Sequence, residues 1–283
     1  MKRLLSIEFQ KIQKNRASKV LVITYFVLLS LISLIASLKF NIGNFEINIA
    51  EQGIFNFPYI WHFNTYIAAF FKLFLAVVIV SMMANEYTYG TLKQNLIDGL
   101  SKKEFILSKF SVVVAFAFLS TLFVFVMSLI LGYTFSSYNE FSIVFSDLDY
   151  LLAYFIKLVA FFSFCLFLGI LVKRSAFALG FLVAWSIFEK VFYGFFKFNV
   201  LNGSHKTENF ADTLIQFFPL EAMSNLIKEP ISRLSAVKSI ETAIGGSQVP
   251  KIYSVHLSEI LIVTFWIALF ILTSFYILKK RDL

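Results

Sequence analysis

Residues 83–110 read MANEYTYGTLKQNLIDGLSKKEFILSKF, a polar interlude between two long apolar runs. From Glu86 to Asp98, Tyr89, Leu92 and Leu96 recur at i, i+3 and i+7, the stripe of a short amphipathic helix, and Gly99 supplies a stop. Directly afterward, Ser101 and Glu104 have the spacing of a capping box: the serine oxygen accepts from the Glu104 N–H while the glutamate reaches back to Ser101. The sequence therefore predicts two helices meeting at a tight elbow. A plain connection between neighbouring spans needs only a handful of residues, so an ordered segment over 85–109 asks for a further role.

The flanking runs set the fold class. Of 283 residues, 59% are hydrophobic, 18% aromatic and only 15% charged, which is more apolar side chain than a globular core can hide. Six runs, 19–38, 63–84, 110–133, 151–172, 175–196 and 258–278, approach the roughly 20 residues that cross a hydrocarbon core of about 30 Å as a helix. A lone strand in lipid would leave its backbone groups unpaired, so each run must be helical. The expectation is an all-α integral membrane protein, a single transmembrane domain over 1–283 with six spans, the first of them retained and not cleaved as a signal.

Charge orients the bundle. Basic residues crowd before the first run, through 93–109, at Lys173 and Arg174, and at Lys279, Lys280 and Arg281, whereas the intervening short loops carry almost none. Both termini and the elbow are thus expected to be cytoplasmic, with an outer loop over 197–257 holding short helices around Pro219 and Pro230. The net charge of +8 reports this topology and not nucleic-acid binding. In residues 1–18, Leu4, Leu5, Phe9 and Ile12 share one face with Lys11 and Lys14 mostly opposite, the pattern of an interfacial helix on anionic lipid, or of a plain positive flank. Glu8 falls inside the apolar arc.

No enzyme signature is present: there is no GxxxxGK[ST] loop and no HExxH, and His62, His205 and His256 stand far apart on the outer side, interfacial or solvated rather than ligands. The expectation is no catalytic, cofactor or metal site, and Cys165 reads as packing. Four charges, Lys72, Lys157, Glu189 and Lys190, lie within apolar runs, where an ion must pair, snorkel or face water. Either Glu189 pairs with Lys72 while Lys157 and Lys190 snorkel outward, or some of the four line a translocation cavity. No span reads as Gly- or Pro-broken, which disfavours an ion-coupled carrier built on Glu189 and Lys72.

The elbow resembles that of the ABC-2 type permease family, in which a Glu after the second span is followed by Gly-Thr, a Leu-rich turn, then Ser-Arg or Ser-Lys before a helix reaching a Lys. Here those residues are Glu86, Gly90, Thr91, Leu92, Leu96, Ser101, Lys102 and Lys109, and the likeness in span count, termini, outer loop and the KKRDL tail extends over the whole chain. GLSKK lacks the proline that often precedes the serine, which leaves the elbow angle open. The resemblance implies a membrane subunit of an ATP-binding-cassette transporter, an exporter of the bacterial inner membrane. Residues 86–98 would form its coupling helix, with Glu86, Tyr87, Tyr89, Gly90, Thr91, Leu92 and Leu96 docking a separate ATPase subunit. ATP and Mg would be bound in that partner and no cofactor by this chain, and two permease copies, identical or related, would complete the pathway in the lipid bilayer. An alternative with the same architecture is a force-transmitting component of a cell-envelope machine, for example one tied to motility, that carries no substrate.

Overall fold

A computed structural model describes residues 2–37, 39–42, 45–48, 53–201, 213–233 and 253–281. The chain opens with two consecutive helices, α1 (Lys2–Lys14) and α2 (Arg16–Ser37), followed by a short antiparallel hairpin of β1 (Lys39–Ile42) and β2 (Phe45–Asn48). Next come α3 (Tyr59–Phe70), α4 (Lys72–Thr88) and α5 (Thr91–Ile97), then the long α6 (Lys102–Phe135) and the single turn α7 (Phe141–Val144). The bundle is completed by α8 (Asp149–Val172), α9 (Ser175–Leu201), α10 (Pro219–Asn225) with a 3-10 turn at Ile231–Arg233, and α11 (Leu257–Lys280). The described residues are helical apart from that hairpin and the connections.

By length and composition, α6, α7 with α8, α9 and α11 can each cross a membrane, and α3 with α4 makes a fifth if the bent pair counts as one span. α8 stands in the middle, packed on α3, α4, α6, α9 and α11. The outer helices present apolar stripes at helical spacing, such as Val20, Ile23, Val27 and Leu31 on α2 and Phe118, Leu122 and Val126 on α6, all well exposed. In water such faces would drive association; hydrocarbon is the solvent that suits them.

Two expectations about the second span need correction. It is longer than 63–84, and it is interrupted: α3 and α4 bend by 46° at Phe71. Neither glycine nor proline causes the bend. Around it the ladder tightens to three-residue spacing, with Phe71 N–H donating to the Ala68 carbonyl at 3.1 Å and Phe74 N–H to the Phe71 carbonyl at 3.1 Å.

The segments in which the basic residues cluster meet at one end of the bundle. Lys102 Nζ donates to the carbonyls of Lys279 (3.3 Å) and Arg281 (2.9 Å), while Arg281 reaches the Tyr87 hydroxyl at 2.9 Å and the carbonyls of Ile170 (2.5 Å) and Leu171 (3.0 Å). Arg281 is thus a clasp that satisfies carbonyls left open at the end of α8, not merely a positive flank. The opposite end has its own polar clasp. His62, expected to be interfacial or solvated, is buried and stacks on Tyr150 with centroids 4.2 Å apart. Its Nε2 donates to the Lys228 carbonyl at 2.9 Å, and its Nδ1 accepts from Arg233 at 3.1 Å. His256 is exposed at the start of α11, and His205 lies outside the described residues.

Candidate functional site

The elbow is built where α1, the end of α4, α5 and the start of α6 converge. At its centre Lys109, wholly buried, donates to Glu8 Oε2 at 2.6 Å and to Glu86 Oε1 at 2.5 Å. Lys11 completes the group, 2.8 Å from Glu86 Oε1 and 3.3 Å from Glu8 Oε1. Two acids and two bases form a neutral cluster, which is how charges become tolerable away from water. Burial alone would lower the Lys11 ammonium, but its hydrogen bonds and its attraction to Glu86 and Glu8 outweigh that and hold it above the ordinary value. Glu8, which interrupted the apolar arc of α1, is therefore the residue that fastens α1 to α6.

Glu86 carries the cluster into the elbow. Its second oxygen accepts from Thr91 Oγ1 at 2.6 Å and Asn95 Nδ2 at 3.5 Å, both on α5. The expected single helix over 86–98 is in fact two: α4 runs through Glu86 to Thr88, Gly90 takes a left-handed conformation at φ 66°, and α5 begins at Thr91. A left-handed residue ends the helical path, and glycine adopts it without Cβ strain. Glu86 is thus at the last turn of α4, 2% exposed and committed to internal partners, so it is not available to a basic residue of another subunit.

The other elbow residues divide by face. Leu92 is buried and Leu96 packs against the bundle core, so the apolar stripe of α5 points inward rather than out. Tyr87 also turns inward, beneath Arg281 and Lys173. Tyr89 is 73% exposed and Ile97 is 69% exposed, and Lys93, one turn before Ile97, shares its outer face. Ile97 was not singled out by the stripe at i, i+3 and i+7; an apolar residue off that stripe, one turn after a lysine, was the available signal. The Ser101 oxygen accepts from the Glu104 N–H at 3.2 Å, and Glu104 accepts from the Ser101 N–H at 3.0 Å, fixing the start of α6.

The four charges within the apolar runs are not arranged as a Glu189–Lys72 pair. Glu189 accepts from Trp185 Nε1 (2.7 Å) and from the backbone N–H groups of Leu220 (3.1 Å) and Glu221 (3.0 Å), capping the first turn of α10 from α9. Lys72 lies 4.6 Å from the Phe161 ring centroid, and Lys157 does not snorkel outward: it is buried, with its Nζ 3.4 Å from the Ser224 carbonyl. Lys72, Glu189 and Lys190 line one cavity between the α3–α4 bend, α9 and α10. Among the described residues no group of His, Cys, Asp or Glu is arranged to hold a metal ion.

A family model described as ABC-2 family transporter protein matches residues 4–283. No curated protein matches the chain.

Proposed function

Because the chain belongs to the ABC-2 transporter family, we propose that it is the membrane-spanning permease subunit of an ATP-driven exporter, moved by a separate ATPase that docks on the elbow. Members of this family are membrane components of transporters, and the helices of this chain are long and apolar enough for a multi-pass membrane protein. In this reading α2, at 22 residues, is the span that precedes the α3–α4 pair, giving six in all. The basic end faces the cytoplasm of a bacterium, because that end holds the lysines and arginines of short loops. ATP and Mg belong to the partner, and a second permease copy closes the pathway.

The observation that carries the reading is the bracing of the elbow. A partner that pushes on a floppy loop moves only the loop, whereas α5 is tied through Glu86 to α4, α6 and α1 at once. Displacement of its exposed face is therefore delivered to three helices as one body. The docking face is Tyr89, Lys93 and Ile97, in which Tyr89 is the kind of exposed aromatic anchor that concentrates binding energy at an interface.

The test is co-purification with an ABC ATPase subunit co-expressed from the same organism. Tyr89→Ala with Ile97→Ala should leave the amount of folded permease unchanged, since both side chains stand in solvent, and reduce ATPase recovery at least tenfold. Tyr138→Ala, exposed at the opposite end, should change neither. An intact, fully stimulated complex in the double variant would remove the basis for this assignment. Substitution of Gly90 is a poorer probe, because its left-handed backbone strains any other residue although its Cβ would meet nothing within 4 Å.

A further inference from the structure

The cavity at the α3–α4 bend has a volume of about 470 Å³ and two unlike sides. Its polar side holds Lys72, Lys190, Glu189, Glu221 and the hydroxyls of Ser186 and Ser224. Glu189 is held by three N–H donors and is not in salt-bridge contact with a lysine among the described residues. Lys72 makes no ion pair among the described residues, its neighbour being the face of Phe161, and buried Lys157 stands within electrostatic reach of both Lys72 and Glu221. The lining thus holds two lysines and two carboxylates, and Lys72 is the cation among them that rests on a ring face and not on a carboxylate.

Snorkelling does not relieve Lys72. Lys72 stands near the middle of the bent pair, with about 20 Å of helix on either side at 1.5 Å per residue, beyond the reach of a lysine side chain to either headgroup layer. An unpaired cation at that depth is costly unless something anionic or aqueous meets it. The other side of the cavity is apolar and opens sideways. Phe70, Leu73, Val183 and Ile187 line it and are 62, 54, 59 and 57% exposed, respectively, so the space is continuous with the surface that faces hydrocarbon.

We propose that this cavity binds an amphiphile with an anionic headgroup, its charge beside Lys72 and Lys190 and its chain lying across Phe70, Leu73, Val183 and Ile187. Lys72, which has no carboxylate in contact, selects the charge, and the apolar rim selects the chain. The inference rests on the reading of this chain as a membrane-spanning permease and names the class of molecule its cavity takes. A fatty carboxylate and an anionic phospholipid share that chemistry.

The experiment uses the full chain in discs of zwitterionic lipid, with a diazirine-bearing palmitic acid, the corresponding uncharged alcohol, and a diazirine-bearing phosphatidylglycerol, the labelled sites being mapped by peptide mass spectrometry. The acid should label the peptides around Phe70 and Val183 saturably, and unlabelled palmitate should compete. The alcohol should label them at least tenfold less. Equal labelling by phosphatidylglycerol identifies a membrane lipid as the source, and labelling by the acid alone identifies a free amphiphile. Lys72→Gln should reduce acid labelling at least tenfold and Lys72→Arg should retain it. Lys190→Gln, whose side chain is exposed, should reduce it about threefold, while Lys173→Gln at the far end should not. Equal labelling by acid and alcohol, or full labelling in Lys72→Gln, would overturn the proposal. Selective acid binding with no ATPase recovered would leave this inference standing and defeat the proposed function, and the reverse pattern would do the opposite.

Discussion

Lys109→Met isolates the central cation of the elbow cluster. Methionine nearly conserves the volume but leaves Glu8 and Glu86 facing only Lys11, whose side chain is 38% exposed, so one buried negative charge is uncompensated. Breaking a buried ion pair from one side costs about 3–5 kcal/mol. At roughly 2–4 °C per kcal/mol for chains of this size, the thermal midpoint in detergent should fall by about 10 °C. Glu8→Gln added to Lys109→Met returns the cluster to neutrality, because the Lys11–Glu86 contact at 2.8 Å survives. The double variant should recover at least half of the loss, a coupling of about 2 kcal/mol between side chains in direct contact. Midpoints followed by size-exclusion fluorescence after heating would measure all four corners of the cycle. If Lys109→Met shifts the midpoint by less than about 2 °C, or if the two substitutions simply add, the cluster does not hold the elbow together, and the rigid-body account of coupling loses its support.

Two further outcomes concern stability alone. Arg281→Gln removes donors to Ile170, Leu171 and Tyr87, leaving carbonyls at the end of α8 open, and should cost about 1–3 kcal/mol, read as roughly 5- to 150-fold faster amide exchange near the ends of α8 and α11; unchanged exchange would mean that the clasp is decorative. Burial pushes the Glu221 carboxyl above its ordinary 4.5, with Lys190 and Lys157 pulling part of the way back, so the folded state holds its proton more tightly than the unfolded chain does. That cost is absent below pH 4.5 and grows as pH rises through the raised value. Glu221→Gln should therefore raise the thermal midpoint at pH 7.5 and leave it unchanged at pH 4, and an equal effect at both would exclude titration as the cause.

Length and hydropathy made the helical spans legible, because both act locally and repeat along twenty residues. The capping box was legible for the same reason, since Ser101 and Glu104 speak to each other across one turn. The bend at Phe71 was not, for it needs no glycine or proline and is written only in how α3 and α4 pack. Gly90 carried a readable signal, a glycine after a span where a helix can end left-handed, yet the stripe through Tyr89, Leu92 and Leu96 argued for continuity. Of that stripe, Leu92 and Leu96 turn inward while Tyr89 stays exposed; the sequence does not say what covers an apolar face, and for the two leucines it is the chain's own bundle. Glu8 stood out as an acid among apolar neighbours, which is the trace a buried ion pair leaves, but its partner Lys109 lies 101 residues away. Pairing Glu189 with Lys72 failed because backbone N–H groups, the donors Glu189 uses, are invisible in a list of charged side chains.

The distance between Glu8 and Lys109 also orders events during synthesis. At about 5–20 residues per second, Lys109 leaves the ribosome some 5–20 s after Glu8, and for that interval the carboxylate has no base to meet except Lys11 on its own helix. α1 must wait in water or at the lipid surface, its apolar face uncovered, until α6 is threaded. Arg281, joined to Tyr87 across 194 residues, arrives later still and closes the same end. A nascent chain halted after α5 therefore carries an elbow with Glu86 unneutralised by Lys109, so the elbow becomes rigid only once α6 has been made.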